Sequence, residues 1–184
     1  MIRPAMAVVL VSLASLYVAA FAQQPLVPES FAVPVTYTAS DYKLVPLGPD
    51  VARLDYDAYM SSIEHIQGRM GGKWPRPGLT MDDQAKDMAG EKSQWEGRKS
   101  FPFAVLTRDG SKELGCFYLR PSRKQGHDAV ATMWTTKEAF DKGFEDKLYA
   151  DMKAWVAQSW PFQKVAWPGR EIPQADFRAL PNKP

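Results

Sequence analysis

"PFAVLTRDGSKELGCFYLRPS", Pro102 to Ser122, holds two apolar runs joined by a short polar link. Asp109-Gly110 at its centre is a strong short-range hairpin signal, because this pair accepts the positive φ that a tight β-turn requires. The stretch therefore predicts two antiparallel strands. "HDAVATMWTT", His127 to Thr136, predicts a third beside them. The centre of the molecule thus reads as an antiparallel meander.

Upstream, "YKLVPLG" (Tyr42 to Gly48) alternates and ends in turn residues, predicting a strand. "DVARLDYDAYMSSIEHIQGRM" then places Tyr59, Ile63, Ile66 and Met70 at helical spacing, and Gly71-Gly72 ends that helix. Pro75 and Pro77 keep the next stretch open. Thr80 is a fitting N-cap for a second helix, with Asp82 and Asp83 in the first turn and an apolar stripe of Met81, Ala85, Met88 and Trp95. Downstream, "AFDKGFEDKLYADMKAW" (Ala139 to Trp155) reads as a loop, one glycine, and a helix carrying Leu148, Met152, Trp155 and Ser159 on one face. Trp160-Pro161 ends it, "KVAWPG" predicts a last short strand, and "REIPQADFRALPNKP" looks irregular. The order β-α-α-β-β-β-α-β with an antiparallel centre is an α+β pattern.

The N-terminus stands apart from this domain. Met1-Ile2-Arg3 is a short positive region, "AMAVVLVSLASLYVAAF" is an uninterrupted apolar run, and "AFA" (Ala20 to Ala22) supplies small residues where signal peptidase reads them. Residues 1–22 are therefore expected to be a signal peptide cleaved after Ala22, giving an exported periplasmic or secreted chain with no stable membrane association. An uncleaved anchor is the alternative, since the run nearly spans a bilayer. Residues 23–40, with three prolines and no helical period, predict an extended arm with a short strand at Val33 to Thr38. The domain proper covers 41–170 and an irregular tail 171–184. Removing Arg3 from the 23 basic residues leaves 22 against 21 acidic ones, which gives no electrostatic case for nucleic acid or an anionic membrane. One cysteine, Cys116, forms no internal disulfide, so a core of roughly 160 residues must hold the fold.

From about Tyr42 to Arg170 these elements resemble the GNAT superfamily, the acyl-CoA-dependent N-acyltransferases. "YKLVPLGPD" is similar to the usual family opening, and "FAVLTRDGSKELGCFYL" to its central hairpin. Gly115-Cys116-Phe117-Tyr118, Trp134 and Trp160 to Arg170 resemble a pattern shared by bacterial GNAT-like proteins. The resemblance implies a mixed, mostly antiparallel sheet flanked by helices and C-terminally shortened. It also implies that the strand carrying Trp134 parts from the one carrying Trp167 to make an acyl-CoA cleft. Acetyl-CoA or another acyl-CoA would be the donor and an amine the acceptor. The backbone of Met133, Trp134 and Thr135 would polarise the acyl carbonyl, and Lys142, Gly143 and Phe144 would meet the pyrophosphate. In the family's pyrophosphate loop Phe140 takes the first basic or amide position, Gly143 the first glycine and Glu145 the second, so Gly143 alone matches. Too little chain follows Arg170 for the family's last helix, and no residue inherits its thiolate-protonating tyrosine by position.

Physical chemistry bears on the same loop. Phosphate binding needs free amides, close approach of the chain and no competing anion. At an effective dielectric near 20, like charges about 5 Å apart repel by roughly 3 kcal/mol, so Glu145 and Asp141 would oppose a diphosphate there. The simpler role for Asp141, Glu145 and Asp146 is to stabilise the positive end of a helix.

Other candidates read more simply still. His65 and His127 have no second ligand at metal spacing, so no metal is expected. Glu64-His65 reads as a solvated helix face, Cys116 as a buried small hydrophobe, and "RPSRKQGH" as a solvated turn. Trp134, Tyr149, Trp155 and Trp167 read first as core, with Trp134 and Trp167 the best candidates to line a small-molecule groove. Three classes follow: an acyltransferase, an exported non-catalytic ligand-binding module on the same fold, and a protein-interaction domain.

Overall fold

The Asp109-Gly110 turn closes as expected. Gly110 has φ 81°, and the Asp109 carboxylate accepts from the Thr107 and Ser111 hydroxyls and the Ser111 amide. The turn joins β3 (Phe101–Thr107) to β4 (Glu113–Pro121), and β5 (Ala129–Thr135) continues the meander. β2 (Tyr42–Pro46) and the two-residue β1 (Tyr37–Thr38) extend the sheet beyond β3, and β6 (Val165–Ala166) lies outside β5. The sheet runs β1-β2-β3-β4-β5-β6, and only the β5–β6 pair is parallel. This is the mixed, mostly antiparallel α+β architecture read from the sequence. The computed structural model describes residues 24–184, so the leader segment and the Ala22 cleavage point lie outside the described residues. Among those described, no helix is long and apolar enough to cross a membrane.

Alternation along the strands builds two cores. Phe101, Phe103, Val105, Phe117, Leu119 and Ala131 pack with Leu148, Met152 and Trp155 of α5 (Phe144–Ser159). Ala104, Leu106, Cys116, Tyr118 and Trp134 face the other way, against α1 (Ala52–Met60), α2 (Ile63–Met70) and α3 (Met81–Glu96). Full burial of each large apolar side chain contributes about 1.5–3 kcal/mol, so the sheet is held from both sides.

One irregularity matters later. Val105 pairs with Gly115 but Leu106 pairs with Glu113, leaving Leu114 without a partner as a β-bulge. Gly115 has φ 154°, and a Cβ there would sit 2.0 Å from the Trp134 carbonyl oxygen.

Several local expectations are corrected. The single helix expected before Gly71 is a 3-10 turn (Pro49–Val51) followed by α1 and α2, broken at Ser61-Ser62. The Ser61 hydroxyl donates to the Ala58 carbonyl, and Ser62 Oγ accepts from the Lys137 amide, so both serines use their side chains outside a helical ladder. Thr80 caps α3 with a full capping box through Asp83. Its buried positions are Gln84 and Met88, however, while Met81 and Ala85 are exposed. The loop before α5 contains α4 (Lys137–Asp141), and the tail contains α6 (Gln174–Ala179). Lys124 Nζ donates to the Arg178 and Leu180 carbonyls, so the "RPSRKQGH" loop holds that tail.

Candidate functional site

β5 and β6 pair at only two positions, Ala129 with Val165 and Val130 with Ala166. From Ala131 to Thr135 the β6 side of β5 has no strand partner. Beyond β6 the chain turns away at Pro168-Gly169, where Gly169 has φ 79°. The strands carrying Trp134 and Trp167 therefore part. The gap between them is a cavity of about 150 Å³ lined by Ala131, Met133, Glu145, Trp167, Arg170 and Gln174, among others.

Glu145 fills much of the polar requirement of this gap. It lies in the first turn of α5 and is 4% exposed. Its Oε1 accepts from Arg69 and from Arg170, each at 2.5 Å, and its Oε2 from the Thr135 hydroxyl at 3.0 Å. Arg170 also pairs with Asp146 at 2.6 Å and lies over the Tyr149 ring, while Arg69 lies over Phe140. A buried carboxylate is tolerated where charged donors and a hydroxyl satisfy it, and this one has both.

The loop residues face elsewhere. Lys142, Gly143 and Phe144 line a separate cavity of about 310 Å³, together with Lys112 and Lys147. Gly143 is the N-cap of α5 with φ 77° and open space where a Cβ would stand, and no side chain caps that helix start. Lys142 pairs with Glu138 at 2.7 Å, and Glu138 with Lys112. Asp141 pairs with Lys137 at 2.5 Å and is exposed. Asp141 thus turns outward to a lysine and Glu145 inward between the strands, so neither lines the cavity that Lys142, Gly143 and Phe144 share.

Trp134 and Trp167 do not share a groove. Strand alternation sends them to opposite faces of the sheet. Trp167 stacks on Phe117 and meets the Tyr149 edge. Trp134, 1% exposed, donates its indole N–H to the Tyr118 hydroxyl and borders a cavity of about 730 Å³ with Trp74, Met88, Glu91 and Arg120. Arg120 pairs with Glu91 and covers the Tyr118 ring at 4.1 Å. Thr135 is buried and spans the two sides, its backbone in β5 and its hydroxyl on Glu145.

Beneath the larger cavity lie Asp55, Glu113 and Cys116, all buried. Asp55 accepts from the Gln84 amide, which itself accepts from the Tyr59 hydroxyl. Burial pushes the Cys116 thiol and the Glu113 carboxyl well above their ordinary ranges and raises Asp55 as well. Cys116 is buried as expected, but among polar partners rather than in a purely apolar setting. His65 packs on Phe140, and burial lowers its pKa; His127 lies near Phe177.

Arg69, Arg170, Asp55 and Glu113 were not selected from sequence. Arg170 closes the "WPFQKVAWPGR" motif, and Glu113 interrupts an apolar strand, so both carried a signal; Arg69 and Asp55 sit in helices as ordinary charged residues do.

A meander followed by a strand that pairs in parallel for two residues and then parts, with a helix start beside the gap, is a GNAT-like fold. No protein-family model matches the chain, and no curated protein matches it in sequence. Solved structures do match. The ribosomal-protein-S5-alanine acetyltransferase of Vibrio fischeri superposes with TM-score 0.60 at 14% identity, covering 79% of this chain and 81% of that one. An acetyltransferase from Salmonella typhimurium that modifies the N-terminal serine of 50S ribosomal subunit protein L7/L12 gives TM-score 0.56 at 9% identity, with coverage of 73% and 72%. A ribosomal L7/L12 alpha-N-protein acetyltransferase in complex with coenzyme A gives 0.52 at 12% identity, with coverage of 67% and 66%. At such identities the likeness establishes the fold.

Proposed function

We propose that this protein is an N-acyltransferase that takes an acyl-CoA-type donor between β5 and β6 and passes the acyl group to an amine. The observation that carries this reading is the unpartnered edge of β5 from Ala131 to Thr135, opposite a strand that has turned away. A backbone edge of this kind offers amides and carbonyls to an extended ligand.

The residues present fit such a donor in part by themselves and in part after one rearrangement. The uncapped α5 start, with Gly143 open and Lys142 alongside, suits a diphosphate. In this reading the backbone of Met133, Trp134 and Thr135, on the unpartnered edge of β5, would polarise the acyl carbonyl. The gap itself admits a thioester arm once Glu145 releases Arg69 and Arg170, and those arginines then face the ligand. When bound, such a donor supplies the activated acyl group. Across β5, the cavity beside Trp134 has the size of a small-molecule site and would receive the amine.

Calorimetric titration with CoA and acetyl-CoA tests the reading, with a transfer assay on amines. Wild-type protein is expected to bind CoA weakly, and Gln174→Trp, which crowds the gap, to abolish binding. Absence of CoA binding in wild type and in Glu145→Gln alike would sink it. A second reading, an exported binding module on the same fold, is supported by the internal ion pairs at Glu145 and by the leader-like first 22 residues.

A further inference from the structure

The group beneath the larger cavity has the chemistry of a metal site. Asp55, Glu113 and Cys116 are 3%, 1% and 0% exposed, and one ligand atom from each lies within 4.8 Å of the others. Cys116 Sγ stands 3.3 Å from Asp55 Oδ1 and 3.1 Å from Glu113 Oε1. Tetrahedral zinc, with Zn–S about 2.3 Å and Zn–O about 2.0 Å, sets its sulfur and oxygen ligands about 3.5 Å apart. The two sulfur–oxygen separations are therefore within a few tenths of an ångström of that span.

A second observation points the same way. Glu113 Oε2 is wholly buried with no hydrogen-bond partner among the described residues. The hydrogen-bond partners of the two carboxyls there are the Gln84 amide, the Cys116 thiol and each other, none of them a cation. A buried acidic oxygen left in this state is costly, and a cation would satisfy it. The bulge at Leu114 is what brings Glu113 here. In regular alternation Glu113 would share a face with Phe117. With the extra residue, Leu114 packs on the α5 side and Glu113 joins Cys116 beneath α1.

We propose that Asp55, Glu113 and Cys116 form a binding site for a zinc-like divalent cation, entered from the large cavity that Asp55 lines. One thiolate with two carboxylates suits a borderline metal better than magnesium or calcium. Three protein ligands leave a fourth position for solvent or a small ligand. Binding releases to solvent the thiol proton and the proton shared by the two carboxyls.

Cobalt is the probe, because Cys116 is the only cysteine and a sulfur-to-cobalt charge-transfer band can come from no other residue. Chelator-treated, reduced full-length protein is titrated with cobalt chloride. The expected result is a near-ultraviolet band saturating at one equivalent, displaced by zinc, absent from the urea-unfolded chain, and accompanied by a rise in melting temperature. Glu113→Gln should weaken binding at least about tenfold, and Cys116→Ser should remove the band. A wild-type titration with no sulfur band and no thermal shift overturns the proposal and leaves a shared proton as the occupant. So does a band that persists in Cys116→Ser.

Discussion

Replacing Glu145 with glutamine should lower stability and raise affinity for CoA in the same molecule. The Glu145 carboxylate, 5% exposed in its side chain, holds Arg170 at 16% and Arg69 at 43%. The Arg170 pair is the costly one to weaken, since a hydrogen bond to a charged group contributes about 1.5–3 kcal/mol when largely buried. The Arg69 pair is half in solvent and adds about 0.2–1 kcal/mol. Glutamine keeps one carbonyl acceptor, and Arg170 keeps Asp146, so the net loss should be about 2 kcal/mol. For a domain of this size that is a fall of about 4–8 °C in melting temperature. The same change removes a negative charge beside the donor path and loosens the hold on the Arg69 and Arg170 guanidinium groups. Screened by partial exposure, this is worth about 1.4 kcal/mol, or tenfold in CoA affinity. Differential scanning fluorimetry and titration calorimetry on both proteins measure the two effects. An unchanged melting temperature would show that the ion pairs carry no stability. Weaker CoA binding in the variant would refute the idea that Glu145 competes with the ligand.

Gly115→Ala should destabilise by about 4 kcal/mol, since its Cβ would meet strand backbone at 2.0 Å and its φ is left-handed, whereas Gly143→Ala, with open space around it, should cost about 1 kcal/mol; thermal melts of the pair decide. Burial and the hydrogen bond to Asp151 hold the Tyr42 phenol far above its ordinary value, with Lys147 and Tyr37 the other titratable groups around it. A raised folded-state value means the stability it contributes is complete below pH of about 10 and is lost as pH climbs further, so Tyr42→Phe should flatten the alkaline decline in urea midpoints. Mass spectrometry of protein recovered from the source cell envelope should find a chain beginning at Gln23, and an intact Met1 in cytosolic protein would contradict export.

The parts of the fold legible in the sequence were those governed by neighbours along the chain. Asp109-Gly110 forces a hairpin whatever surrounds it, and Thr80 with Asp83 caps α3 by itself. The face of α3 was misread because a hydrophobic count selects Met81 and Ala85, while the fold buries Gln84 to link Tyr59 with Asp55. The break between α1 and α2 depends on Ser62 serving an amide at Lys137, a partner 75 residues away. At the site, Gly143 was legible as a helix start, and the parting strands were implied by the family resemblance. Which way Glu145 turns was not, because two arginines from distant segments decide it. Trp134 and Trp167 were paired in sequence as groove residues, yet alternation sends them to opposite faces.

The bulge at Leu114 divides the hairpin into two sections that set their own registers. From Gly115 onward β4 is fixed by its contact with the Trp134 and Thr135 backbone, where there is no room for a Cβ. Toward the turn, it is fixed by the bonds between Thr107 and Lys112. A residue gained or lost in the tip, Arg108 to Ser111, lies beyond both anchors, and Cys116, Phe117 and Tyr118 would keep their faces. The hairpin tip is therefore where this sheet can change length between related chains without exchanging its two cores.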